Sequence, residues 1–258
     1  MPSVHATKVF LVRYSRWPSC AWNWRRSANS HVSPLAFPIA EHQTPLRRSA
    51  DVKDENLQKG KETNVKVAAS RLNGIVIPPG ETFSYHRSVG IPNRGKGFVE
   101  GLELRSGHEA SGIGGGCCSV SNLLFLVAIK SGLEIVERHR HGLDLFSDHG
   151  RSVPFGCGAT IFFPYADLKI RNPHDFPVRI SLEVNETHLV GQIQCASDPG
   201  WRVELVERDH QFQKIGDVWT RENRICRQFF DPIGELLREE EVVHNVGKCL
   251  YDPEAANP

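Results

Sequence analysis

Apolar residues recur at helical spacing in the first half of the chain and at strand spacing in the second. Behind Thr63, a candidate N-cap, Val65, Ala68, Ala69 and Leu72 share one face before Asn73-Gly74. That spacing predicts a helix closed by a glycine. Residues 75–77 read as a short buried strand stopped by Pro78-Pro79-Gly80, and extended chain resumes at Phe83-Ser84-Tyr85. A charged, glycine-containing loop over residues 86–97 leads to a strand-like stretch at 98–104. Residues 106–116 form a glycine-rich loop, and the apolar run over residues 123–129 follows it, with Gly132 beyond the end. That run is apolar on nearly every face, which predicts a helix at the centre of the core.

Short β-rich segments then succeed one another at residues 133–136, 159–163, 167–170, 178–184 and 188–195, with Asn185-Glu186-Thr187 turning the last two into a hairpin. Three more, at 203–206, 224–230 and 236–243, close the chain. The predicted architecture is α+β: a central buried helix after a glycine-rich loop, packed on a mostly antiparallel sheet.

Composition narrows the function classes. The chain has 258 residues, enough for one large domain or two small ones, and 31 Lys and Arg nearly balance 30 Asp and Glu. No chain-wide basic footprint exists, so a nucleic-acid partner is not expected. The balance is uneven along the chain. Residues 1–50 carry Lys8, Arg13, Arg16, Arg25, Arg26, Arg47 and Arg48 against Glu41 alone, together with Trp17, Trp22 and Trp24. This segment reads as a flexible basic head suited to a membrane surface, residues 51–195 as the α+β domain, and 196–258 as its β-rich extension.

The run over residues 123–129 is far short of the roughly 18 to 20 residues that a membrane span needs. Only four apolar residues, Val9 to Val12, stand near the N-terminus, so a cytoplasmic, membrane-peripheral protein is expected. The seven cysteines are odd in number and unevenly spaced, and no Cys-x-x-Cys pair occurs; free thiols are expected, without a zinc ribbon or other cofactor.

Chemistry concentrates at Gly114-Gly115-Gly116-Cys117-Cys118. Glycines allow close approach of a ligand or of another chain segment, and a cysteine in a first helical turn feels the positive end of the helix dipole. Cys118 is the candidate nucleophile. His139 and His141, on one face of the segment after Leu133, are candidate bases, with Glu81, Asp144 and Asp167 as candidates to orient them. The same residues also fit tightly packed core, a metal site joining Cys117 or Cys118 to His139 and His141, or an anion cradle at the helix start. No Lys follows the glycines as a P-loop requires.

The stretch from Asn73 through Pro78-Pro79-Gly80-Glu81 to Ser84, the segment 114–124, and Ala159-Thr160 with Asp167-Leu168-Lys169-Ile170-Arg171-Asn172 together resemble the VanW family. The resemblance runs from about residue 52 to 194 and more loosely to 251. It implies an accessory role in glycopeptide (vancomycin) resistance or cell-wall metabolism. A wall precursor or partner protein would bind a pocket framed by Gly114, Gly115, Gly116, Ser121 and Glu81. The rival implication is a cysteine-dependent acyl transfer or amide hydrolysis on peptidoglycan-type peptides, using Cys118 with His139 or His141. Family members typically read Gly-Gly-Gly-x-Cys-Gln and Gly-x-Asp-Ala-Thr. Cys118 matches the family cysteine, while Ser119 and Gly158 stand where Gln and Asp are usual.

Overall fold

A computed structural model describes residues 35–47, 54–105, 108–140, 142–144, 147 and 153–256. In chain order the elements are β1 (Phe37–Pro45), α1 (Glu55–Leu72), β2 (Val76–Ile77), β3 (Thr82–Ser84), α2 (Tyr85–Val89), β4 (Glu100–Arg105) and β5 (His108–Ile113). Then come α3 (Cys118–Lys130), β6 (Glu134–Glu137), β7 (Leu143–Asp144), β8 (Lys169–Arg171), β9 (Val178–Val184) and β10 (His188–Cys195). Three long strands, β11 (Arg202–Ile215), β12 (Val218–Phe230) and β13 (Leu236–Cys249), precede a last turn of helix, α4 (Pro253–Ala256).

The protein is mainly sheet with few helices, an α+β arrangement in the broad sense. The strands form four sheets: β1-β10-β9-β2, β11-β12-β13-β7, β3-β8-β6 and the hairpin β4-β5. Every pairing between these strands is antiparallel except the short β13–β7 contact.

Helix α3 packs against β1 and β10 on one side and against β6, α1 and β11 on others. Residues 123–129 are all buried, as expected of a run with no polar face. The helix lies so close to the first sheet that a Cβ on Gly191 would come within 2.9 Å of the Leu123 side chain. Beneath it, Leu124, Phe125 and Ile129 join Ile170, Ile180 and Leu189 in one core.

Several elements differ from the sequence reading. Strand β5 forms inside the stretch read as a glycine-rich loop, its register with β4 running from Glu100 opposite Ile113 to Arg105 opposite His108. Strands β11, β12 and β13 extend well past the segments read there. Helix α1 starts at Glu55, not behind Thr63, because the Asp54 carboxylate accepts the amides of Asn56 and Leu57 at 2.9 and 3.1 Å. The Thr63 hydroxyl instead donates to the Lys59 carbonyl one turn back. Strand β1 lies inside the segment read as a flexible head. Its prolines are tolerated because the strand is at a sheet edge and the register shifts between Pro38 and Ala40. Residues 1–34 and 48–53 lie outside the described residues, and with them the rest of that expectation. Residues 159–163 form no strand. They make only isolated bridges, Thr160 to His139 and Phe162 to Ala166, around the cis Phe163–Pro164 bond.

The long meander β11-β12-β13 docks on the core through buried polar side chains. Asn223 and Asn245 both donate to the Phe155 carbonyl, at 2.9 and 3.4 Å. Arg138 reaches the carbonyls of Gly156 and Gly158 and the Asn245 side chain, with its guanidinium over Phe125. Burial pushes the Arg138 pKa down to about 10, still charged at neutral pH. Deeper in, Arg221 lies between the rings of Phe155 and Phe212 and pairs with Asp144 at 3.3 Å; Tyr251 donates to the same carboxylate oxygen at 2.8 Å.

Candidate functional site

The glycine turn before α3 is built against the protein's own backbone. Gly114 and Gly116 have φ of +87° and +96°, a region that side-chain-bearing residues rarely adopt. A Cβ on Gly115 would sit 2.1 Å from the Gly101 carbonyl oxygen of β4, and one on Gly116 would meet Lys61 of α1. Buried Asn64 clamps the assembly. Its amide donates to Val99 O and Gly115 O at 3.0 and 2.9 Å, and its oxygen accepts from Val99 N at 2.8 Å. The close neighbour that these glycines admit is α1 with the β4–β5 hairpin.

The same turn takes up amides on either side of Cys118 N. Cys117 N donates to Gly114 O at 3.1 Å, Ser119 N to Gly116 O at 2.9 Å and Val120 N to Cys117 O at 3.0 Å. Cys117 is buried, and burial pushes its thiol up to about 12. The Cys118 thiol faces the Ile161 carbonyl at 3.7 Å. Burial raises its pKa; hydrogen bonding to the thiolate from the backbone at Ile161 and at Cys118 itself opposes the rise, and the charge of Glu103 adds to it. Desolvation is the largest influence on this thiol. Ser121 donates to Ala159 O at 2.6 Å, and Asn122 accepts from Ala159 N at 2.8 Å, which fastens the 157–161 segment over the helix start. At Gly158 a Cβ would lie 2.7 Å from the Asn122 Oδ1, so the absence of a side chain there lets Asn122 hold that amide.

The other candidates are spread out. Glu81 sits in the turn before β3, where its amide donates to Pro78 O at 3.1 Å and its carbonyl accepts from Asn172 N at 3.0 Å. His139 lies beside Glu137, Nε2 to Oε1 3.0 Å, and its backbone carbonyl accepts from Thr160 N. Among the described residues, the groups acting on the Cys118 thiol include no imidazole. His141 lies outside the described residues. Among those described, no group of three or more His, Cys, Asp and Glu is placed to hold a metal ion, and no helix is long and apolar enough to cross a membrane.

Sequence reasoning named His139 and Asp167 but missed Ser84, His86, Glu137 and Lys169, which join them in a second cluster at the β3-β8-β6 sheet. Buried Asp167 accepts from Ser84 Oγ at 2.5 Å, from His86 N at 2.9 Å and from its neighbour Leu168 N at 2.8 Å, with the His86 Nδ1 at 3.8 Å. Ser84 also caps α2, accepting from Arg87 N at 3.2 Å. Next to Asp167, Glu137 takes the Asp167 amide at 3.3 Å, the His139 ring and the Lys169 ammonium at 2.8 Å. The His86 ring rests against Phe163 at 5.1 Å, and burial lowers its pKa despite Asp167 and Glu137, which keeps it neutral near pH 7. The signal in the sequence was an acid at the end of one strand, Glu137, and a base at the start of its neighbour, Lys169, which pair across the ladder, with His139 and Asp167 each two residues away.

The Glu137 carboxyl shows how tightly this cluster is wired. Burial alone would raise its pKa, but hydrogen bonds to Lys169 and His139, the Lys169 charge and the Asp167 amide hold it at about 2 against an ordinary 4.5. The folded pKa is the lower one. Its contribution to stability is complete above about pH 4.5 and disappears as pH falls through about 2. Carboxyl NMR titration should place Glu137 at the low end of that window, and Lys169→Met should move it up toward 4.5. A Glu137 titrating near 4.5 in the parent protein would mean the pair is open in solution.

Comparison with known proteins places this arrangement in a family. The pattern described as "VanW like protein" matches residues 60–194, from the first turns of α1 to the end of β10. The chain belongs to the VanW family. It is 35% identical over 195 residues to "Vancomycin B-type resistance protein VanW" of Enterococcus faecalis, covering 75% of this chain and 71% of that protein. It is also 33% identical over 125 residues to "Uncharacterized protein YoaR" of Bacillus subtilis, covering 47% of this chain and 39% of that one. No solved structure matches.

Proposed function

We propose that the protein is a VanW-type accessory factor in glycopeptide resistance or cell-wall metabolism, acting by binding a wall precursor or a partner protein rather than through a Cys118 thiolate. The observation that carries this reading is the Cys118 environment: a thiol aimed at the Ile161 carbonyl, its pKa raised by burial. A nucleophilic cysteine needs the opposite, a depressed pKa and an adjacent base. The name of the enterococcal relative supports the link to resistance. The basic head, with its three tryptophans, would contact membrane lipid.

The test is the pH profile of iodoacetamide labelling, mapped by peptide to Cys118 in the folded protein. Labelling should stay slow through pH 8 and rise only on unfolding. A labelling midpoint well below about 8, lost in His139→Ala or His141→Ala, would sink the binding reading. It would establish the thiolate–imidazole pair that the acyl-transfer or amide-hydrolysis alternative needs and justify a substrate screen.

A further inference from the structure

Beside the Glu137–Lys169 pair the chain presents two aromatic rings to solvent. Phe162 is 62% exposed and Tyr165 38%, with ring planes 17° apart and centroids at 6.2 Å. Both stand on one tight turn. Phe162 N donates to Ala166 O at 2.9 Å, Ala166 N to Phe162 O at 2.8 Å and Tyr165 N to Phe162 O at 2.7 Å. Phe163, inside the turn, packs on the His86 ring and pins the turn to α2. Two residues before the turn Thr160 is bridged to His139, and the residue after it, Asp167, donates its amide to Glu137. The turn that carries the two rings is thus tied at both ends to the segment that carries Glu137 and His139.

We propose that this feature is a saccharide-binding site, taking the glycan portion of a wall-type ligand. The inference rests on the binding reading above and names the ligand class and the place. A pyranose ring has a flat face of C–H bonds and a rim of hydroxyls. It stacks on an exposed aromatic plane while fixed donors and acceptors hold the rim. The exposed Phe162 ring, backed by the near-parallel Tyr165 ring, supplies the plane. Glu137 supplies an acceptor, Lys169 a donor, and His139, whose side chain is 43% exposed, a group that can serve as either. Because the ion pair is already made, these groups are held in place before any ligand arrives, which lowers the ordering cost of binding. A lipid surface would call for a wider apolar patch with unbalanced positive charge. Here the Lys169 charge is answered by Glu137.

The experiment is saturation-transfer NMR and calorimetry on the full chain with three probes: tetra-N-acetylglucosamine, a soluble disaccharide-peptide from peptidoglycan, and its stem peptide alone. The tetrasaccharide and the disaccharide-peptide should bind and perturb the rings of Phe162 and Tyr165. Phe162→Ala and Tyr165→Ala should each weaken both by about tenfold. Their thermal midpoints should stay near the parent value, since both rings are exposed. Glu137→Gln should weaken sugar binding without affecting the stem peptide.

Equal saccharide binding by parent and ring variants would overturn the proposal. So would a stem peptide that binds while the tetrasaccharide does not, an outcome that leaves the binding reading standing. Failure of all three probes would overturn the proposal and the wall-precursor form of the binding reading, leaving a partner protein as the ligand. Binding to anionic phospholipid vesicles that needs Phe162 and Tyr165, with no saccharide binding, would reassign the platform to membrane.

Discussion

Gly60→Ala is expected to destabilise the protein by about 3 kcal/mol or to prevent folding, although alanine is the better helix former by about 1 kcal/mol. Gly60 lies in the second turn of α1, where its backbone needs no glycine. What it needs is space: a Cβ would stand 1.9 Å from the Glu100 carbonyl oxygen and 3.1 Å from the Gly101 Cα of β4. Both are backbone atoms, so no rotamer change relieves the clash. Helix and hairpin would have to separate, pulling Asn64 from Val99 and Gly115. The measurement is the urea midpoint, with Gly142→Ala as control because a Cβ there meets none of the described residues within 4 Å. A Gly60→Ala midpoint at or above the parent's would mean that α1 and β4 are not in contact at this point.

The second large effect is expected at Asp144. This carboxylate and Arg221 are both buried, with side-chain exposures of 3% and 2%. Asp144→Ala leaves a guanidinium between Phe155 and Phe212 without its carboxylate and removes the partner of the Tyr251 hydroxyl. Breaking a buried pair from one side costs about 3–5 kcal/mol, while replacing both partners by apolar residues of similar size is often close to neutral. Asp144→Ala should therefore loosen the β11-β12-β13 meander, seen as a shift in Trp219 fluorescence and a lower melting midpoint. Asp144→Leu with Arg221→Met should recover most of the loss. If the double variant were as unstable as Asp144→Ala, the damage would come from lost packing rather than from a stranded charge.

These two predictions also mark where the sequence was readable. The apolar run before Lys130 carries its own signal, and so do the alternating strands β9 and β10, whose predicted limits coincide with those observed. Family membership was legible too, because the motifs around Pro78-Pro79-Gly80, the three glycines and Asp167 occur in order. The start of α1 was not, since Gln58, Gly60, Lys61 and Asn64 are buried there and polar or small residues do not read as core. Strand β1 was hidden by its prolines and its polar face. Hydrogen-bond register, which no periodicity reports, brought Ser84, His86, Glu137 and Asp167 together. The thiol of Cys118 was read through its position on a helix, whereas the stronger influence is burial, a property of the whole fold.

Strand β1 has a practical consequence. It lies entirely before the family match, which begins at residue 60. Yet it pairs with β10 from Phe37 opposite Cys195 to Pro45 opposite His188, and Glu41 accepts from Gln192 at 2.5 Å and from Lys130 at 3.5 Å. An excised fragment spanning residues 60–194 would keep β10 but bare its outer row of amides and carbonyls and one flank of α3. An open strand edge beside apolar surface recruits further strands. Such a fragment is expected to self-associate, while one beginning ahead of Leu35 keeps the edge closed by its own chain.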